Sequence, residues 1–212
     1  NKLRKLTGSY YTPPEVVQTM VRLCDEALKS SSRFAVPQGL ASPNVKIADP
    51  ATGSGTYLLA VLRAIAEFVV DDEGEGAVAG AITKAAERIY GFELQFGAFA
   101  VAQLRLLAEM IHLGADGSPG LFVTDTLSDP HSNFEAGQGI YREISKSQQA
   151  ANEIKRATPI TVVIGNPPYS KMSGNLSSAA VSLVAPFREV DGIRIVAKAA
   201  LAHELNLQDD YV

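Results

Sequence analysis

The stretch Val45-Lys46-Ile47-Ala48-Asp49-Pro50-Ala51-Thr52-Gly53-Ser54-Gly55-Thr56-Tyr57 decides the fold. Val45 to Pro50 reads as a short strand ending in an acid. Ala51 to Thr56 is a turn of small residues, and Tyr57 to about Val70 has the apolar recurrence of a helix. Strand, glycine loop and helix in that order open a βαβ unit.

The rest of the chain continues the alternation. Upstream, Thr12-Pro13-Pro14-Glu15 has the form of a helix start: Thr12 as cap, proline in the first turn, and Glu15 completing a capping box. Val16, Val17, Met20, Val21, Leu23, Cys24, Ala27 and Leu28 recur at helical spacing to about Lys29, which places Cys24 in the core. Residues 30–44 are punctuated by Ser, Pro and Gly and read as a loop.

Downstream, Asp71-Asp72-Glu73-Gly74-Glu75-Gly76 is expected to be an acidic, solvated break. A helix over about 77–88 leads to a second strand, Ile89 to Glu93. A long helix from Gln95 to about His112, with Phe99, Leu104, Leu107 and Ile111 inward, leads to a third strand, Leu121 to Val123. Residues 128–140 are loop-like, and Tyr141 to Ala157 is a polar surface helix. The fourth strand, Thr161 to Ile164, runs straight into Gly165-Asn166-Pro167-Pro168-Tyr169. Two adjacent prolines cannot continue a ladder, so Asn166 and Tyr169 stand on a rigid turn at the strand's carboxyl end. Past Lys171 the pattern weakens to loop and indistinct helix. The alternation implies an α/β fold, a parallel sheet with helices on both faces.

Composition sets the outer limits. Hydrophobic residues make up 46% and charged residues 20% of the 212, an ordinary globular balance. No apolar run approaches the roughly 20 residues of a membrane span, so no membrane association is expected. Cys24 is alone and cannot form an internal disulfide, which fits a reducing cytoplasm. The net charge of −4 neither suggests nor excludes nucleic acid. His112, His131 and His203 lack metal-ligand spacing, so no metal is expected.

The strands end in Asp49, Glu93, Asp125 and Asn166, which a doubly wound sheet brings to one edge, where ligands bind. Each acid alone can be read as a helix cap; repetition at successive strand ends favours a site. The Gly53-Ser54-Gly55 turn admits close approach to backbone but lacks the Gly-Lys-Ser/Thr ending of a phosphate loop and the third glycine of a dinucleotide fingerprint. A nucleoside without phosphates fits better. Glu93 stands where a carboxylate accepts ribose hydroxyls, Asp49 can meet a ligand ammonium, and Asp125 an adenine amino group.

These motifs, taken in order, resemble the N6-adenine DNA methyltransferases of the gamma arrangement, which use S-adenosyl-L-methionine. Tyr11-Thr12-Pro13-Pro14-Glu15 resembles the family's N-terminal cofactor motif. Asp49 to Tyr57 resembles its glycine loop, Gly91-Phe92-Glu93-Leu94 its ribose-binding strand end, and Asp125-Thr126-Leu127 its adenine-contacting position. Asn166-Pro167-Pro168-Tyr169 resembles the catalytic tetrapeptide. The resemblance implies a Rossmann-like methyltransferase fold with strand order 3-2-1-4. It implies a cofactor site formed by Tyr11, Thr12, Asp49, Ala51, Gly53, Glu93, Leu94, Asp125 and Thr126, and a catalytic turn formed by Asn166, Pro167, Pro168 and Tyr169. It implies double-stranded DNA as partner and a flipped adenine as substrate, because a stacked base is out of reach.

The family's sheet has seven strands, and four are legible here. The expected organisation is an N-terminal helix and loop over 1–44, an α/β core over 45–170, and the start of a further catalytic segment over 171–212. The chain is expected to be a fragment of a restriction–modification or phage-defence polypeptide. Protein glutamine, RNA or cytosine-N4 amino-methylation remain as alternatives, as does a cofactor-binding module without turnover of its own.

Overall fold

The computed structural model describes residues 12–30, 32, 34–131 and 140–167, with positions 182, 186, 189, 190, 193 and 194 beyond them. Tyr11, Pro168, Tyr169, Lys171 and His203 lie outside the described residues. The chain divides into two compact units, one of residues 11–126 and 135–166, the other of 1–10, 127–134 and 167–212.

The first unit carries strands β1 (Ile47–Asp49), β2 (Ile89–Glu93), β3 (Gly120–Val123) and β4 (Val162–Val163) in one sheet of order β3-β2-β1-β4. Every pairing is parallel: Ile47 lies opposite Ile89 and Val162, and Glu93 opposite Val123. Its helices are α1 (Pro14–Ser30), α2 (Thr56–Glu73), α3 (Val78–Ala86), α4 (Phe96–His112) and α5 (Ile140–Ala157). The parallel pairing is what the alternation implies, and the strand order is the one the motif resemblance implies.

Strand alternation sorts the two faces. Ile47, Ile89, Val162 and Ile164 enter the larger core with Val17 and Val21 of α1, Leu58, Leu62 and Ile65 of α2, Ile82 of α3, and Leu106 and Met110 of α4. Ala48 and Phe92 point to the opposite face, where Ala151 of α5 meets them beside Tyr90, Phe122 and Ile154. Thus the surface helix α5 has one face on the sheet: it buries Ala151 and Asn152, and its Ser147 hydroxyl accepts the edge N–H of Val123 at 2.8 Å. Val163, on that face of the edge strand β4, is 69% exposed.

The helix α1 starts one residue later than a Thr12 cap would require. The Pro13 carbonyl accepts from Val16 and Val17 at 3.1 and 3.2 Å, and Pro14 takes the first helical position. Of its apolar residues Val17, Val21 and Leu28 are buried, Val16, Met20 and Leu23 are exposed, and Cys24 is half-buried against the core rather than fully inside it, its thiol pushed up by burial and by Asp25. Asp71, Asp72 and Glu73 continue α2 instead of breaking it. The stop is Gly74 at φ +89°, whose N–H closes on Val69 and Val70. Arg88, 7% exposed, donates to the carbonyls of Val45, Leu40 and Ala41 and ties the entry of β1 to β2.

The face of α4 also differs from the sequence expectation. Ala102, Leu106 and Met110 are buried, whereas Leu104, Leu107 and Ile111 are exposed and Phe99 is half-buried. Both faces are apolar, so period alone does not choose. On the buried side the small Ala102 faces the glycine loop, where a Cβ on Gly55 would come within 3.3 Å of its Cα and Cβ.

In the second unit, Glu189–Val190 (β5) and Ile193–Arg194 (β6) pair antiparallel, with Val190 opposite Ile193. Both strands lie in the stretch past Lys171 whose sequence reads only as loop and indistinct helix; in sequence, Asp191-Gly192 between them is a hairpin-turn signal.

The assignment of α4's faces has a direct check. Leu106→Ala is expected to lower unfolding free energy by about 2–5 kcal/mol, and Leu104→Gln by no more than about 0.5 kcal/mol, measured by denaturant titration. The reverse ranking would mean the helix is turned.

Candidate active site

The carboxyl ends of β1, β2 and β4 deliver the predicted residues to one edge of the sheet. Asp49 ends β1 and is fully buried. Its Oδ1 accepts the Ala51 N–H at 3.0 Å, while Oδ2 is buried with no hydrogen-bond partner. The loop then turns on itself: Thr52 Oγ1 donates to the Asp49 carbonyl at 3.1 Å, and Gly53 takes φ +55°. Thr52 N–H donates to the Phe92 carbonyl at 3.0 Å, which stitches the loop to β2.

Glu93 closes the second corner. Its Oε2 accepts the Gly53 N–H at 2.8 Å and its Oε1 the Gln95 N–H at 2.7 Å. A carboxylate offers about four acceptor positions, so capacity remains for hydroxyl donors after these two bonds. Leu94, beside it, is 68% exposed. Thr126 Oγ1 donates to the Pro50 carbonyl at 2.6 Å, bringing the segment after β3 over the end of β1. The Asp125 carbonyl accepts from Lys155 Nζ of α5 at 3.0 Å.

From β4, Ile164 N–H donates to the Ala48 carbonyl at 3.0 Å, and Gly165 follows directly against Asp49. A Cβ on Gly165 would collide with Asp49 Oδ1, so the turn passes the buried carboxyl only because it lacks a side chain. Asn166 is half-buried, and its Nδ2 donates to Thr12 Oγ1 at 2.9 Å. Thr12, Asp49, Ala51, Gly53, Glu93, Thr126 and Asn166 are thereby joined by contacts within one unit. Pro167 belongs to the other.

Two cations were not evident from the sequence. Arg105 of α4 reaches the glycine loop, and its Nη1 donates to the Ser54 carbonyl at 2.7 Å, to Ser54 Oγ at 3.0 Å and to Thr56 Oγ1 at 3.3 Å. Lys155 is the second; burial lowers its ammonium below the usual lysine range, with Asp125 acting the other way. Neither carries a motif: both were ordinary charges on amphipathic helices until the fold placed them. Among the described residues no group of His, Cys, Asp and Glu could hold a metal, and no helix is long and apolar enough to cross a membrane.

Burial pushes the Asp49 carboxyl up to about 7; the Ala51 N–H opposes this and the Glu93 charge adds to it. Such an acid holds its proton in the folded chain at a pH where the unfolded chain has released it, so its contribution to stability is greatest below about pH 4 and is lost as pH rises towards 7. Asp49→Asn should remove this component. Melting temperatures across pH 4 to 7.5 are expected to show wild type losing stability relative to Asp49→Asn as pH rises. Parallel curves would mean Asp49 titrates normally.

The comparisons with known proteins bear on this geometry. No curated protein matches the chain. Among solved structures, the chain is similar to the ATP-dependent Type ISP restriction-modification enzyme LlaBIII bound to DNA, with TM-score 0.72 and 24% identity over 95% of this chain and 13% of that one. It is similar to a nuclease-deletion mutant of the Type ISP enzyme LlaGI in complex with a DNA substrate mimic, with TM-score 0.63 and 25% identity over 92% and 14%. The DrdV–DNA complex gives TM-score 0.59 and 23% identity over 80% and 15%. The chain thus spans about one seventh of the proteins it resembles. The profile of the N-6 DNA methylases matches residues 1–188, and the chain belongs to that family.

Proposed function

We propose that this chain is the catalytic segment of a DNA adenine-N6 methyltransferase within a restriction–modification enzyme, working in the cytoplasm on double-stranded DNA with S-adenosyl-L-methionine as methyl donor. The observation that carries the reading is the contact of the Asn166 turn with Asp49, which joins the two motif-bearing strand ends in a member of the N-6 DNA methylase family. The structural likeness to restriction–modification enzymes supports the wider context.

The residues fit the cofactor. The orphaned Asp49 Oδ2 is an acceptor that a ligand ammonium would satisfy. Glu93, held by two backbone N–H groups, retains acceptor positions for ribose hydroxyls. Asp125 and Thr126, fastened to Lys155 and Pro50, would border the adenine, with Ala51, Gly53, Leu94 and Tyr11 completing the site. The bound cofactor supplies an electrophilic methyl group.

The chain's own task is to make an aromatic amine nucleophilic. The lone pair of adenine N6 is delocalised into the ring. Acceptors aimed at the two N–H groups favour a more tetrahedral nitrogen, with its lone pair available for attack. Asn166 Oδ1 and the Pro167 carbonyl take that role, and the double proline keeps them in place beforehand, so that little reorganisation accompanies reaction. The methylated nitrogen is acidic and loses its proton without a strong base. Tyr169 would stack on the base once it leaves the duplex. Pro168, with no N–H to donate and a ring that fixes φ, would stiffen the turn.

Transfer of tritiated methyl from S-adenosyl-L-methionine to duplex DNA, by the full-length protein, is the test. Label is expected in N6-methyladenine; label confined to protein, RNA or N4-methylcytosine would replace the substrate assignment. Asn166→Ala should lower turnover about 10²- to 10³-fold with cofactor affinity kept. Asp49→Ala should weaken cofactor binding by roughly 10-fold or more in calorimetry, and unchanged affinity would remove Asp49 from the site.

A further inference from the structure

We propose that Thr12 is a positioning residue for the catalytic turn: its hydroxyl holds the Asn166 amide by Nδ2, so that Oδ1 is the end presented to the substrate amine. The proposal rests on the adenine-N6 reading above but changes the role of Thr12, which the motif resemblance places among the cofactor contacts.

Three observations carry it. The first is the bond itself, Nδ2 to Thr12 Oγ1 at 2.9 Å across 154 positions of sequence, between two half-buried residues of the same unit. The second is that α1 does not use Thr12 as its cap. The Pro13 carbonyl takes the first helical bonds, so the threonine hydroxyl is turned to Asn166 instead. The third is the rigidity on both sides. Thr12 precedes Pro13 and Pro14, and a residue before proline is confined to extended backbone; its branched Cβ further restricts χ1. On the other side, Gly165 is pressed against the buried Asp49 carboxyl and Ile164 is bonded to Ala48. The turn's backbone is fixed from below and its side chain from the α1 side.

The consequence follows from the chemistry of an amide. Its two ends are not equivalent: one donates and the other accepts. Only the oxygen can receive an N–H of adenine N6. With Nδ2 committed to Thr12, Oδ1 faces the remaining side. Without that tether the amide can rotate and present its NH₂ to the substrate NH₂, donor against donor. A residue acting this way changes the rate of the chemical step and leaves cofactor affinity alone, whereas a cofactor ligand changes affinity.

Thr12→Val keeps the shape and removes the hydroxyl. It is expected to lower kcat about 10- to 100-fold with cofactor affinity within about twofold of wild type, and Thr12→Ser is expected to recover most of the loss. An unchanged kcat, or a rise in Kd with kcat preserved, would overturn the proposal in favour of an ordinary cofactor contact. A second readout needs no turnover. The Asn166 side-chain NH₂ resonances, assigned by their disappearance in Asn166→Asp, should move and exchange faster with solvent in Thr12→Val. Resonances that stay put overturn the proposal whatever the activity. Absence of methyl transfer by wild type, with those resonances moving as expected, would overturn the adenine reading and leave the Thr12 tether standing.

Discussion

The parallel pairing of β1 with β2 on one side and β4 on the other is the constraint on which the site depends. β1 is only three residues long, and all three are buried. Its Ile47 and Ala48 are held opposite Ile89 and Tyr90 of β2 and opposite Val162 and Val163 of β4. Parallel strands send all their carboxyl ends to one edge. The register therefore decides that Asp49, Glu93 and Gly165 emerge within reach of one another, although they are far apart in sequence. The loops then reinforce what the ladder begins: Thr52 N–H returns to Phe92, and Ile164 N–H to Ala48.

Close approach at that edge requires missing side chains. A Cβ on Gly91 would lie 2.6 Å from both Thr52 Oγ1 and Leu121 Cδ2, so β2 has no side chain where the glycine loop folds over it. Gly55, at φ +80°, begins α2 in a conformation that a branched residue would find strained, with its Cβ direction 3.3 Å from Ala102. Gly165 yields to Asp49 in the same way. Overpacking a core generally costs about 1–3 kcal/mol, and here the displaced atoms would be those of the site itself. The glycines on this edge serve geometry as much as turn formation.

How much of this could be read from the sequence depended on whether the signal was local. Alternating strand and helix patterns, with a glycine turn after the first strand, were sufficient for a parallel sheet with Asp49, Glu93, Asp125 and Asn166 at its strand ends; the order β3-β2-β1-β4 came only from the resemblance that those marks carry. The faces of α4 were not legible. Val101, Leu104, Leu107 and Ile111 are as apolar as Leu106 and Met110, and the buried side is the one that brings Ala102 to Gly55 and Leu106 and Met110 into the larger core. Thr12 illustrates the same limit. A threonine three residues before a glutamate fits a capping box equally well whether or not its hydroxyl is needed elsewhere, and the partner that claims it is 154 positions away. Arg105 and Lys155 lacked any local pattern; their roles arise from where α4 and α5 pass the loops.

The same distinction separates the acids at the strand ends. Glu93 behaves in part as a structural residue, since Oε1 accepts the N–H of Gln95 at the head of α4. Asp49 does not. The helix that follows it is capped by Gly55 without a side-chain bond, and the Asp49 carboxyl group bonds, among the described residues, only to the Ala51 N–H of its own turn. Its second oxygen is buried without a donor, and its carboxyl is pushed up to about 7 by that burial. A group chosen for stability alone would be satisfied or exposed. An unsatisfied acid beneath an obligatory glycine, at the junction of two motifs, is costly to folding, and under the proposed function it would be satisfied by a ligand that brings the missing donor. On that ground the proposed function makes Asp49, more than any other acid of the edge, the place where folding stability would be given up for binding.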